Sequence, residues 1–178
     1  MVSWPARRPG IPRATSPSEN RGSPTAVADP THPLFRRAIL ALAGGSGDER
    51  IVRLASELGR ASHAELVGVH VVEVEWSLPL DADIAARSED AQQILDQAEL
   101  TAETLKVRLE PVLLQAREVG AALVDEATER EADILVLALA YRKRFGGDFA
   151  IGRTIPYVLK HAPCAVWVVR EPIPEELQ

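Results

Sequence analysis

Cysteine is nearly absent from this chain of 178 residues, and the one present, Cys164, has no partner for an intrachain disulfide. A fold stapled by disulfides is excluded, and the usage fits a reducing compartment. Aromatic residues make up 4 % while hydrophobic residues make up 46 %, so the core must be built from Leu, Val, Ile and Ala. That composition favours helices packed on a sheet over an aromatic-rich β-sandwich. No apolar run approaches the ~20 residues of a membrane span, so direct membrane insertion is not expected. Arg7-Arg8 is followed by no apolar segment, which excludes a twin-arginine export signal. A surplus of positive charge is missing as well. The net charge of −6 argues against nucleic acid as the partner. The expectation is a cytoplasmic protein.

Residues 1–33 hold seven of the thirteen prolines, with much Ser, Thr and Arg and little apolar periodicity. Such a segment buries too little surface to offset its ordering entropy and reads as a disordered N-terminal tail. It carries four Arg against one Glu and one Asp, leaving 16 basic and 24 acidic residues after it, a net charge of −8. From residue 34 to 172 the chain reads as one α/β domain, and residues 173–178 as a short C-terminal tail.

Within that domain, apolar runs alternate with helical periodicity. AILALA (Ala38 to Ala43) reads as a buried strand closed by Gly44-Gly45-Ser46. Ile51, Leu54, Ala55, Leu58 and Ala61 follow at helical spacing, then a second strand runs from Glu65 to Val74. Ala91, Ile94, Leu95, Ala98, Ala102, Leu105 and Leu109 form the apolar face of a long helix that starts near Ser88 and is stopped by Pro111. Val112 to Ala116 is a third strand, more polar and so placed at an edge. Leu123, Val124 and Ala127 mark a helix, and Ile134 to Leu139 a fourth strand. Ile155, Val158 and Leu159 mark the last helix, and Ala165 to Val169 the last strand. Strands alternating with helices in this way imply βαβ units and a parallel sheet covered on both faces. Ligands of such sheets sit beyond the carboxyl ends of the strands, where the strand order reverses. The loops after the first and fourth strands are therefore the candidate site.

Arg142, Lys143, Arg144 and Arg153 place positive charge in the fourth loop of an otherwise acidic domain. Arginine forks bind phosphate, and the helix opened by Gly152 to Thr154 offers N–H groups to an anion, although Pro156 removes one donor. The bland alternative is a solvated basic face. Cys164 reads as a packed small residue, and His32, His63, His70 and His161 have no metal-binding spacing. Asp81 and Asp83 read as loop surface. No nucleophile–base pair and no paired carboxylates stand beside either loop, so no catalytic residue is assigned.

ILALAGGSGDERIVRLASELGRASHAELVGVHVVEV resembles the opening of universal stress protein domains, and IGRTIPYVLKHAPCAVWVVR resembles their closing segment. The resemblance implies an open five-stranded parallel sheet ordered 3-2-1-4-5 with helices on both faces. It also implies homodimers through the last strand and, in one branch, ATP or AMP as ligand. That branch carries G-x2-G-x9-G-[ST] across the fourth loop. Counted back from HAPC, Leu139 and Arg142 stand at the first two glycine positions, Gly152 at the last, Arg153 at the Ser/Thr position and Thr154 one residue later. Gly44 replaces the acidic residue that closes the first strand, beside Ala43. Val71 would offer backbone groups to an adenine. Side-chain grip by Arg142 and Arg153 would then stand in for the missing glycines.

Val166, Trp167 and Val168 lie on the last strand, where an exposed apolar edge needs a cover. An antiparallel strand from a second copy would supply it, the alternative cover being a helix or the tail. The first functional reading is thus a regulatory module sensing a nucleotide or another phosphate-bearing anion. The second is a dimerisation or protein-interaction domain without a small ligand, for example one regulating a transporter. The third, an ATP-hydrolysing enzyme, rests on a loose likeness of GGSGD to the SGGxDS loop of ATP-pyrophosphatases, in which Ala43 and Gly47 stand at the Ser and Asp positions.

Overall fold

The computed structural model describes residues 33–77, 85–139 and 151–172, without the side chains of residues 85–88. Most of the two tails read from the sequence, the loop with Asp81 and Asp83, and Arg142, Lys143 and Arg144 lie outside the described residues. In chain order the elements are β1 (Arg37–Leu42), α1 (Gly47–Gly59), β2 (Glu65–Glu73), α2 (Ala85–Thr104), β3 (Leu109–Ala116), α3 (Val119–Glu129), β4 (Ile134–Leu139), α4 (Thr154–His161) and β5 (Ala165–Arg170). The five strands form one parallel sheet ordered β3-β2-β1-β4-β5. This is the parallel α/β architecture that the alternation of strands and helices implies, in the strand order that the family resemblance implies.

β4 is apolar at every position and β1 at every position after Arg37, because both faces are covered. Along β1, Ala38, Leu40 and Leu42 face the layer built with Ile51, Val52 and Ala55 of α1 and Leu95, Ala98 and Ala102 of α2. Ile39 faces the opposite layer, built with Leu123 and Ala127 of α3 and Ile155 and Val158 of α4. β4 repeats the pattern, with Ile134 and Val136 on the first face and Leu135 and Leu137 on the second. At the amino ends, the Asp133 carboxylate accepts the N–H groups of Arg36 at 2.6 Å and Arg37 at 3.0 Å. The Asp133 N–H donates to the Arg37 carbonyl, and its own carbonyl accepts from Ala165, so one residue ties together the starts of β1, β4 and β5.

One expectation is overturned. The second helix ends at Thr104, short of Leu109, which opens β3 instead; Pro111 lies inside that strand opposite Gly68. The helix stops because Lys106 turns left-handed (φ 59°). Lys106 N–H then bonds the Glu103 carbonyl at 2.9 Å, and Val107 N–H bonds that of Ala102 at 3.1 Å. This is a Schellman closure made without glycine, so the sequence carried no stop signal. β3 is an edge strand, where a missing N–H need not break the ladder. The turn after α1 closes in the same way at His63 and that after α3 at Glu131, both left-handed.

β5 is the opposite edge. Trp167 is only partly exposed, because its ring meets the buried Phe35 edge-on with centroids 6.0 Å apart. Val168 stays exposed at 36 %.

Candidate functional site

β1 has β2 on one side and β4 on the other, so a crevice opens where the chain's crossovers diverge. It is a cavity of about 720 Å³, inside the roughly 300–1,000 Å³ typical of small-molecule sites. Val69, Leu123, Leu137 and Ile155 contribute to its apolar lining. Ala43, Gly44, Val71, Leu139, Gly152, Arg153 and Thr154, all expected at a ligand, line it together. Arg142, also expected there, lies outside the described residues.

The β1 side is shaped by close approach. Gly44 is left-handed (φ +74°), and a β-carbon there would lie 2.7 Å from Ile94 Cδ1 of α2. The left-handed backbone favours glycine, and a β-carbon would also push the end of the Ile94 side chain aside. The backbone N–H groups of Ala43 and Gly44 point at the Asp48 carboxylate, to Oδ1 at 3.2 Å and Oδ2 at 2.8 Å. Burial pushes the Asp48 carboxyl above the usual carboxylate range, opposed by the N–H groups of Ala43, Gly44 and Gly45 and by the nearby His70. His70 donates its Nδ1–H to the Leu42 carbonyl at 2.9 Å at the carboxyl end of β1, which fixes the ring's tautomer.

On the β2 side, pairing with β1 stops at Leu42 opposite His70, while pairing with β3 runs on to Glu73. Among the described residues, the β1–β2 ladder thus ends at His70, and β2 runs on past the carboxyl end of β1 beside the cavity. On the β4 side, Gly152 is left-handed (φ +65°) and a β-carbon there would meet nothing within 4 Å. Arg153 follows as the α4 N-cap, with no side-chain capping bond. Its guanidinium is 90 % exposed and reaches Glu73 Oε1 at 3.4 Å, so it bridges the mouth of the cavity between α4 and β2. An ion pair this exposed is weak and yields easily to a stronger anion.

Asp48, His70 and Glu73 were not foreseen at the site. Asp48 was legible in principle, as an acid in the first helical turn a few residues after a strand. His70 and Glu73 become site residues only because β2 outruns β1.

The sequence model described as "Universal stress protein family" matches residues 34–170. The chain belongs to this family. The fold agrees with solved universal stress proteins. One from Burkholderia pseudomallei is 25 % identical, with TM-score 0.59 over 76 % of this chain and 96 % of that one. One from Archaeoglobus fulgidus in complex with dAMP is 20 % identical, with TM-score 0.60 over 76 % and 98 %. One from Arabidopsis thaliana with AMP bound is 15 % identical, with TM-score 0.58 over 79 % and 96 %. No curated protein matches the chain. Among the described residues of this universal stress protein, no helix is long and apolar enough to cross a membrane, and no group of His, Cys, Asp and Glu could hold a metal ion.

Proposed function

We propose that this universal stress protein is a regulatory module that binds an adenine mononucleotide or a similar phosphate-bearing anion at the carboxyl ends of β1 and β4. The supporting observation is the convergence of seven expected ligand residues on one cavity of suitable volume, at the strand-order reversal. Relatives of the same fold hold AMP and dAMP. In this reading the base lies over Val69 and Val71, against the part of β2 that runs past β1. The sugar faces Asp48, and the phosphate faces Arg153 and the first N–H groups of α4. Because Asp48 already occupies the amides of Ala43 and Gly44, a phosphate is directed to the α4 side. No residue at the cavity is assigned a catalytic role, so the module acts by binding.

Calorimetric titration of the full chain with AMP, ATP and a cyclic dinucleotide tests this. Micromolar binding of one of them, weakened about tenfold by Arg153→Ala, is expected. No heat from a folded sample with any of the three would sink the reading and leave a protein-interaction domain.

The place of β5 as the last strand of the sheet among the described residues supports a second, independent element of the proposal. Val168 on that strand and Leu159 on the adjoining α4 are exposed at 36 % and 58 %. Antiparallel pairing of β5 from two copies would cover Val166, Trp167 and Val168. Sedimentation of Val168→Lys should show a monomer where the wild type is a dimer.

A further inference from the structure

The pole of the sheet opposite the nucleotide cavity carries charge of the wrong sign for this protein. A groove of about 510 Å³ runs there between the amino ends of β2 and β3. Arg60, His63, Lys106 and Arg108 line it, and all four are exposed. None of these side chains makes a hydrogen bond or ion pair with a described residue. The groove's two acids do not neutralise them. Glu65 is held by Arg37 Nε at 2.6 Å, and Glu110 by Arg130 Nη1 at 2.9 Å. Three permanent cations and one histidine thus stand uncompensated on a domain whose net charge is −8 from residue 34 onward.

We infer that this groove docks an acidic segment of a partner protein. Charge complementarity indicates an anion, and the backbone indicates which kind. A phosphate site in a fold like this is built from free N–H groups. Here the N–H groups of His63, Ala64, Lys106 and Val107 all bond carbonyls of the helix just ended. Arg60, His63 and Lys106 also stand at the carboxyl ends of α1 and α2, whose dipoles repel a compact anion seated against the backbone. Contact then falls mainly to the long exposed side chains, which surround the apolar lining of Ala64, Leu66 and Val107. Flexible cations around an apolar floor suit a peptide that interleaves Asp or Glu with aliphatic side chains. Because this groove lies at the amino ends of the strands and the cavity at their carboxyl ends, a partner seated here does not obstruct the nucleotide cavity.

Fluorescence anisotropy of a labelled peptide of alternating Glu and Leu, titrated with the full chain, tests the inference. Arg60→Gln with Arg108→Gln should weaken binding about tenfold, and raising salt from about 0.05 to 0.3 M should weaken it further. Both are neutralising changes at exposed positions, and an unchanged unfolding midpoint shows that the fold persists. Replacing Arg7, Arg8, Arg13 and Arg21 with Ser should leave the affinity as it was. Equal binding by the double variant would overturn the inference. So would loss of binding in the N-terminal variant, or displacement of the peptide by an equimolar amount of inorganic tripolyphosphate, which would make the groove a phosphate site.

Discussion

Gly47 opens α1 with its backbone pressed on β4. A β-carbon there would lie 2.5 Å from Ala138 Cβ and 3.8 Å from Ala138 Cα. Carbon atoms in ordinary contact stand about 3.5–4.0 Å apart, so Gly47→Ala demands that α1 and β4 separate by roughly 1 Å. Neither β-carbon can rotate away, because each is fixed to its backbone. Helix propensity acts the other way, by about 0.5–1 kcal/mol at an interior position and less at the first. Overpacking of this kind costs about 1–3 kcal/mol. Sterics therefore win, and the net loss should be about 1–2 kcal/mol, read as a lower urea midpoint at unchanged slope. The decisive variant is Ala138→Gly, which removes the other half of the clash. Alone it should destabilise by about 0.5–1 kcal/mol, the cost of glycine in a strand. Added to Gly47→Ala it should cost nothing or restore stability, a coupling of about 1 kcal/mol or more. Strict additivity of the two changes would refute the argument that α1 and β4 touch at this point.

The N–H groups of Arg36 and Arg37 hold the Asp133 carboxyl below the usual carboxylate range. A depressed folded pKa confers stability that is present above the unfolded value of about 4 and drains as pH falls through the folded one. Asp133→Asn should therefore flatten the loss of stability between neutral pH and the acid limb, and urea midpoints across that range check it. Ser56 is fully buried in α1, and its hydroxyl has no partner among the described residues. Ser56→Ala should raise stability by about 1 kcal/mol, visible as a higher melting temperature. Glu131 is left-handed where α3 closes (φ 50°), so Glu131→Gly should stabilise by about 0.5–1 kcal/mol in the same assay.

Much of this protein can be read from local sequence. Runs such as ILAL in β1 and ILVLAL in β4 are apolar at every position because both of their faces are covered. Their alternation with helical periodicity therefore identifies a parallel sheet before any coordinates. The terminal segments identify the family, and the family supplies the strand order. Helix ends are less legible. Glycine would have marked the closures after α1, α2 and α3, but His63, Lys106 and Glu131 adopt the left-handed turn there. Such a turn is held by the capping bonds and by apolar residues packing just beyond it, so the end of α2 and the start of β3 were displaced.

The candidate site divides along the same line. Its location follows from sequence, because loops after the first and fourth strands of a 3-2-1-4-5 sheet must meet at the same crevice. Its chemistry follows from distances that only folding creates. Asp48 takes the amides of Ala43 and Gly44, His70 caps the last carbonyl of β1, and Glu73 meets Arg153 from the far side of the cavity. Glu73 and Arg153 are 80 residues apart in the chain, and no periodicity links them. The basic groove is a still plainer case. Arg60 and Arg108 belong to separate turns, and their charges add only because β2 and β3 pair side by side. By itself the sequence determined which segments are buried, since burial is a property of short runs. Tertiary structure alone decided which charges are compensated, since that depends on which distant segments lie against one another.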